Sequence, residues 1–125
     1  MDIVTVSNSN VLDYLHDPSP RTLGRSPLEW LEQLQKPTVV RVAGRDRSRT
    51  RAMATLLHGN EPSGLFALHR WLLEQHTPEV NMLFLLGGVY PAKIPPTLSL
   101  RQLPAGRDLN RCFKEPFAGE EGAIA

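Results

Sequence analysis

Residues 51–86, RAMATLLHGNEPSGLFALHRWLLEQHTPEVNMLFLL, contain two apolar runs of strand length on either side of a segment with helical spacing. The first run, residues 51–57, predicts a buried strand. The second, residues 82–86, has the continuous apolar character of a strand that is buried on both faces. Between them, leucine and phenylalanine side chains in residues 62–75 recur at the spacing of an amphipathic helix. This order predicts a βαβ crossover and therefore an α/β fold.

The residues before this stretch predict one more helix and one more strand. Ser26 is a helix-capping residue, Pro27 suits the first helical position, and Glu29 follows three residues after the cap. Leucine and tryptophan side chains continue the helix until Pro37 stops it. Residues 38–43, TVVRVA, are rich in β-branched side chains and predict a short strand.

The composition argues against several classes of protein. The 125 residues carry 14 basic and 13 acidic side chains, a balance that is unlike a dedicated nucleic-acid binder. The basic residues 44–51 have no interleaved aromatic side chain for base stacking, so they predict a solvated hairpin turn. No apolar run approaches the ~20 residues that cross a bilayer, and no secretory signal is evident. With Cys112 as its single cysteine, we expect a cytoplasmic protein without a nucleic-acid or membrane partner.

We expect a single domain over residues 1–125. Residues 1–37 form an N-terminal extension with a helix, residues 38–113 form the α/β core that carries the motifs, and residues 114–125 form an irregular tail.

The first candidate site is HGNEPSG at residues 58–64, between the predicted strand and helix, where α/β folds place their sites. On one turn, His58 and Glu61 can direct an imidazole nitrogen and a carboxylate at one point. These are two of the three protein ligands of an open catalytic zinc site. Considered alone, such a pair is also common in proteins without a metal.

The second candidate site is GRDLNRCF at residues 106–113, after an irregular stretch rich in proline and glycine. Asn110 and Arg111 offer one amide and one guanidinium, and a guanidinium can bind a carboxylate through two hydrogen bonds. The alternative is a surface turn with a solvated arginine.

Together, in this order and about fifty residues apart, the two segments resemble the succinylglutamate desuccinylase/aspartoacylase family, a branch of the zinc carboxypeptidase-like hydrolases. HGNEPSG is similar to the family's metal motif, and DLNR at residues 108–111 is similar to its motif for the substrate carboxylate. RQLP at residues 101–104 resembles the family's Arg-aromatic-Leu-Pro segment, with Gln102 in the aromatic position. The resemblance implies a partial zinc-carboxypeptidase-like mixed sheet with flanking helices.

The resemblance also implies a role for each matching residue. His58 and Glu61 would be two ligands of a Zn²⁺ ion. A zinc-bound water would attack the amide or ester carbon of an N-acyl amino acid or a similar carboxylate substrate. Arg101 would polarise the scissile carbonyl and stabilise its oxyanion. The substrate carboxylate would be bound by Arg107, Asn110 and Arg111.

The sequence departs from the family in one respect. The family takes its third zinc ligand from a histidine well downstream of the DLNR motif and its general-base glutamate later still. Here no histidine follows His76, and Glu120 and Glu121 come too early to be the base. We therefore expect the chain to be the N-terminal part of a longer zinc-dependent hydrolase.

Two alternatives remain open. The chain could be a non-catalytic domain that binds a carboxylate or a partner protein and retains half of an ancestral site. If it ends at Ala125, an exposed sheet edge would favour association into an oligomer.

Overall fold

The computed structural model describes residues 11–112 and Ile124, which form a mixed four-stranded sheet with flanking helices. The strands are β1 (Asp13–His16), β2 (Thr38–Val42), β3 (Asp46–Thr55) and β4 (Val80–Leu86). The helices are α1 (Pro20–Leu23), α2 (Pro27–Gln33), α3 (Ser63–Leu73) and α4 (Val89–Lys93), and a 3-10 helix spans Leu109–Arg111. No helix in this described part of the chain is long and apolar enough to span a membrane.

The strand order in the sheet is β1-β2-β4-β3. β2 is parallel to β1 and antiparallel to β4, whereas β3 is parallel to β4. Since α3 connects β3 to its parallel neighbour β4, the predicted βαβ crossover is confirmed. The α/β class is confirmed with it.

The predicted start of helix α2 is confirmed. The Ser26 hydroxyl accepts a hydrogen bond from the Glu29 backbone N–H at 3.1 Å, and Pro27 is the first helical residue. The helix ends at Gln33, before the predicted stop at Pro37. Leu34, the next residue, has extended backbone angles, and its side chain is buried in the main hydrophobic core.

Two predictions about β3 are wrong. The strand is not buried: it lies at the edge of the described sheet, and all its residues except Thr55 are exposed. The basic segment is not a hairpin turn, because from Asp46 onward it belongs to β3. The buried Asn81 side chain attaches this segment to β4, accepting from the Gly44 N–H at 2.9 Å and donating to the Arg47 carbonyl at 3.2 Å.

The main core lies between the helices and one face of the sheet. Its buried residues come from both: Leu23, Trp30, Leu31, Leu34, Val40, Val42, Leu56, Leu65, Leu68, Leu72, Phe84, Leu86, Val89 and Ala92. The opposite face is less covered, and a smaller cluster of Leu12, Leu109 and Ile124 packs there. On β4, Phe84 and Leu86 are therefore buried, whereas Leu83 and Leu85 are only half-buried.

Two short elements in the stretch before α2, β1 and α1, were not predicted from the sequence. Each has only four residues, which is too few to produce a recognisable period. The expected irregular tail, with Glu120 and Glu121, lies outside the described residues apart from Ile124.

Candidate metal centre

His58 lies in the loop that joins β3 to α3, at the carboxyl end of the parallel strand pair. The ring is buried, and the His58 carbonyl accepts the Glu61 backbone N–H at 3.1 Å, which closes one turn. The Gly59 N–H donates to the Arg101 carbonyl at 3.0 Å, so the loop at residue 101 lies directly on this turn. A Cβ atom on Gly59 would lie 2.4 Å from the Leu100 carbonyl oxygen, and this close approach requires glycine.

A continuous chain of polar contacts joins both predicted motifs. Nδ1 of His58 lies 2.7 Å from Oε1 of Glu61, and its Nε2 lies 2.8 Å from Oδ1 of Asp108. The other oxygen of Asp108 accepts from the Arg101 guanidinium at 2.9 Å. The fold therefore brings His58, Glu61 and Arg101 together, although His58 and Asp108 are fifty residues apart in sequence.

The hydrogen bonds in this cluster favour the charged forms of Asp108 and His58. The hydrogen bond from Arg101 is the main reason why the pKa of Asp108 lies well below its usual range, and the contact with His58 lowers it further. The hydrogen bond with Glu61 is the main cause that raises the pKa of His58. Asp108 also raises this pKa, while burial and the Arg101 charge oppose the increase. Asp108 is therefore a carboxylate at neutral pH and can hold an N–H on Nε2 of His58.

This arrangement fits part of a zinc site. Nε2 can donate to Asp108 while Nδ1 donates to Glu61; loss of the Nδ1 proton would leave a lone pair on Nδ1, beside the Glu61 carboxylate, that a metal ion could bind. A carboxylate on the far nitrogen is typical of metal-ligating histidines, because it fixes the tautomer and the ring orientation. The Glu61 side chain is 63% exposed, so its oxygens can be reached from solvent.

The described residues supply two donors and not three. Among residues 11–112 and Ile124, no group of three histidine, cysteine, aspartate or glutamate side chains could hold a metal ion. A catalytic zinc site has three protein ligands and one open position. His58 and Glu61 can therefore supply only part of the ligand set of a zinc ion.

The predicted carboxylate-binding residues lie next to Asp108. Asn110 and Arg111 belong to the 3-10 helix that Asp108 caps, its Oδ1 accepting the Asn110 backbone N–H at 2.9 Å, and both side chains are exposed. Arg107 is also exposed and, with Arg101, lines a small pocket of about 40 Å³. The wall of this pocket is mainly apolar and includes Leu57, Tyr90, Leu109 and Ile124.

Asp108 is the residue of the cluster that the sequence did not assign to the site. It stands at the first position of the DLNR segment, so the segment was found but the role of its aspartate was not. Local spacing carries no information about a contact between residues 58 and 108.

Comparison of the chain with protein-family models, with curated proteins and with solved structures gave no match. Function must therefore be inferred from the cluster itself and from the motifs that the sequence contains.

Proposed function

We propose that these residues form the metal-ligand and carboxylate-binding part of a zinc-dependent hydrolase. The substrate would be an N-acyl amino acid or a similar carboxylate compound, cleaved at its amide or ester bond. The observation that carries the proposal is the contact chain from Glu61 through His58 and Asp108 to Arg101. The resemblance of the two motifs to the succinylglutamate desuccinylase/aspartoacylase family, with its zinc-carboxypeptidase-like fold, supports the same assignment.

His58 and Glu61 are the zinc ligands in this proposal, with Nδ1 of His58 as the nitrogen donor. Asp108 is a positioning residue, because it holds the imidazole through Nε2. When bound, zinc would supply Lewis acidity and lower the pKa of a coordinated water to about 7. The third protein ligand and the general base would come from outside the described residues.

Arg101 and the 3-10 helix provide the substrate contacts. The Arg101 side chain is 52% exposed while it is bound to Asp108, so part of the guanidinium faces solvent beside the metal ligands. There it can stabilise negative charge that develops on a carbonyl oxygen. Arg111 and Asn110, together with Arg107, are the candidate partners of the substrate carboxylate.

One observation favours a second candidate function. The described residues contribute only two metal donors, whereas three arginines occur between residues 101 and 111. A non-catalytic carboxylate-binding domain needs the arginines and no metal. This alternative predicts that an N-acetylated amino acid binds equally well in the presence of zinc and of a chelator.

A calorimetric zinc titration of the full chain distinguishes the two functions. We expect one zinc ion per chain, and at least about tenfold weaker binding in His58→Ala and in Glu61→Gln. His76→Ala is the matched control, because His76 is exposed and contacts Glu74 at 2.9 Å, outside the cluster. Equal zinc affinity in all four proteins would overturn the proposal.

Hydrolysis is tested by release of free amine from N-acyl amino acids in the presence of zinc. We expect any turnover by the wild-type chain to be lost in His58→Ala and kept in His76→Ala. Turnover by His58→Ala at the wild-type rate would contradict the proposed reaction.

A further inference from the structure

Leu56 is the residue at which the chain leaves β3, and its backbone has a conformation that leucine rarely adopts. Its φ is 50°, in the left-handed region where the Cβ atom comes too close to the following carbonyl oxygen. Among the non-glycine residues with positive φ in residues 11–112, Leu56 is the one whose side chain is buried, and it packs in the main core. Such a conformation persists where the surrounding structure imposes it, typically near a functional site.

Two hydrogen bonds show how this conformation changes the end of β3. The Thr55 carbonyl accepts from the Gly87 N–H at 3.2 Å, and the Leu56 carbonyl accepts from the Gly88 N–H. In an extended strand successive carbonyls point in opposite directions, whereas here both are directed at the segment that follows β4. The Gly88 backbone fits closely against Leu56, because a Cβ atom on Gly88 would lie 2.6 Å from the Leu56 oxygen.

The turn at Leu56 determines where His58 points. If β3 continued with extended angles, side chains 56 and 58 would lie on the same face of the sheet, and His58 would enter the apolar core beside Leu56. Instead the chain forms the turn from His58 to Glu61, and Nε2 of His58 lies 2.8 Å from Oδ1 of Asp108. The change of direction at Leu56 therefore separates the His58 ring from the core and brings it to Asp108.

We propose that Leu56 is a positioning residue of the metal centre, because its left-handed backbone holds His58 against Asp108. The buried side chain and the hydrogen bond from Gly88 maintain that backbone, since relaxation to extended angles would withdraw the leucine from the core and break the bond. The inference rests on the proposed zinc site for its functional meaning, but the positioning of His58 can be tested without metal.

Two pairs of substitutions separate backbone conformation from side-chain packing. Leu56→Gly and Leu56→Ala both remove the core side chain, but only glycine adopts left-handed angles freely. Leu56→Met and Leu56→Ile both keep its size, but a β-branched residue is strongly disfavoured at positive φ. In urea denaturation we expect a higher midpoint for the glycine than for the alanine variant, and for the methionine than for the isoleucine variant. The second pair keeps the test valid if the truncated variants do not fold.

Leu86 is the matched control for the backbone effect. It is buried in the same core, and it belongs to strand β4. Glycine is less favourable than alanine inside a strand, so at position 86 we expect the alanine variant to have the higher midpoint. If alanine is also the more stable of the two at position 56, and isoleucine is as stable there as methionine, the assigned backbone strain is refuted.

The positioning role is tested by adding Asp108→Asn to each Leu56 variant in the absence of metal. Part of the stability that this substitution removes comes from the contact between His58 and Asp108. We expect the loss of stability to match that of wild type in Leu56→Gly and Leu56→Met, and to be smaller in Leu56→Ala and Leu56→Ile, where the His58 ring no longer faces residue 108. An equal loss in every background would mean that Leu56 does not position His58.

Zinc calorimetry provides the functional measurement. We expect at least about tenfold weaker binding in Leu56→Ala and Leu56→Ile than in Leu56→Gly and Leu56→Met. Equal affinity in all four variants, when wild type binds zinc, would contradict the positioning role. If wild type itself binds no zinc, the proposed function fails, whereas the comparison with Asp108→Asn still decides whether Leu56 positions His58.

Discussion

Replacing Asp108 with asparagine is the sharpest test of the cluster, because the substitution preserves shape and removes charge. The Asp108 side chain is 17% exposed and contacts Nε2 of His58, the Arg101 guanidinium and the Asn110 backbone N–H at 2.8, 2.9 and 2.9 Å. An asparagine can still accept from the backbone N–H. It cannot accept charge-assisted hydrogen bonds from both His58 and Arg101.

The expected cost follows from these contacts. A hydrogen bond to a charged group contributes about 1.5–3 kcal/mol, and a neutral one contributes about 0.5–1.5 kcal/mol. The buried contact with His58 therefore loses about 1 kcal/mol. The contact with Arg101 loses less, because half of that side chain is in solvent, which screens the charge. We expect Asp108→Asn to lower the free energy of unfolding by about 1–2 kcal/mol.

Zinc binding should respond more strongly than stability does. Removal of a group that orients a ligating histidine typically weakens metal affinity by about 10–100-fold. Urea denaturation measures the free energy of unfolding, and zinc calorimetry measures the metal affinity. The matched control is Asp13→Asn, since Asp13 is 47% exposed and lies 3.9 Å from Lys36, away from the cluster. If Asp108→Asn keeps wild-type stability and wild-type zinc affinity, the assigned positioning role is wrong.

Three further predictions follow from other contacts. Glu61→Gln should lower the pKa of His58, measured by NMR titration, because the hydrogen bond with Glu61 is the main cause that raises this pKa above its ordinary value of about 6.5. Because the pKa of His58 is raised in the folded state, its protonation stabilises the fold fully below the ordinary pKa of about 6.5, and this stabilisation is lost as the pH rises through the raised pKa. Urea denaturation should therefore show Glu61→Gln less stable than wild type at pH 6 and equally stable at pH 9. Gly59→Ala should weaken zinc binding even if the chain folds, because its Cβ would lie 2.4 Å from the Leu100 oxygen; wild-type zinc affinity would contradict this. Ser26→Ala should cost about 1 kcal/mol in urea denaturation, because α2 loses its side-chain cap, without changing zinc affinity.

The features that the sequence predicted correctly are those that local residues determine. The serine cap of α2 involves residues three apart, and the helical period of α3 repeats within a single segment. The predicted pair of His58 and Glu61 likewise lies on one turn. In each case the contact partners are close in sequence, so spacing alone contains the information.

The features that the sequence missed depend on distant residues. An apolar run such as AMATLL favours a strand, but whether the strand is central or at an edge depends on which strands pair with it. The contact between His58 and Asp108 depends on the 3-10 helix returning to the end of β3. Neither the edge position of β3 nor this contact has a local pattern that could have revealed it.

The two sides of the His58 imidazole differ in solvent exposure, and this difference determines from which side the ligand set of a metal ion could be completed. On the Asp108 side the imidazole is buried, and its nitrogen is already engaged at 2.8 Å. On the Glu61 side the carboxylate is mostly exposed, at the carboxyl end of the parallel strands, where α/β folds hold their ligands. A further protein donor and a water molecule would therefore reach the metal ligands from the Glu61 side. Because the Arg101 guanidinium is bound to the far oxygen of Asp108, removal of Asp108 would disturb both the ligand His58 and the cation Arg101. Asp108→Asn should therefore weaken zinc binding and also release Arg101, the cation assigned to the scissile carbonyl, whereas Glu61→Gln should weaken zinc binding and leave Arg101 bound to Asp108.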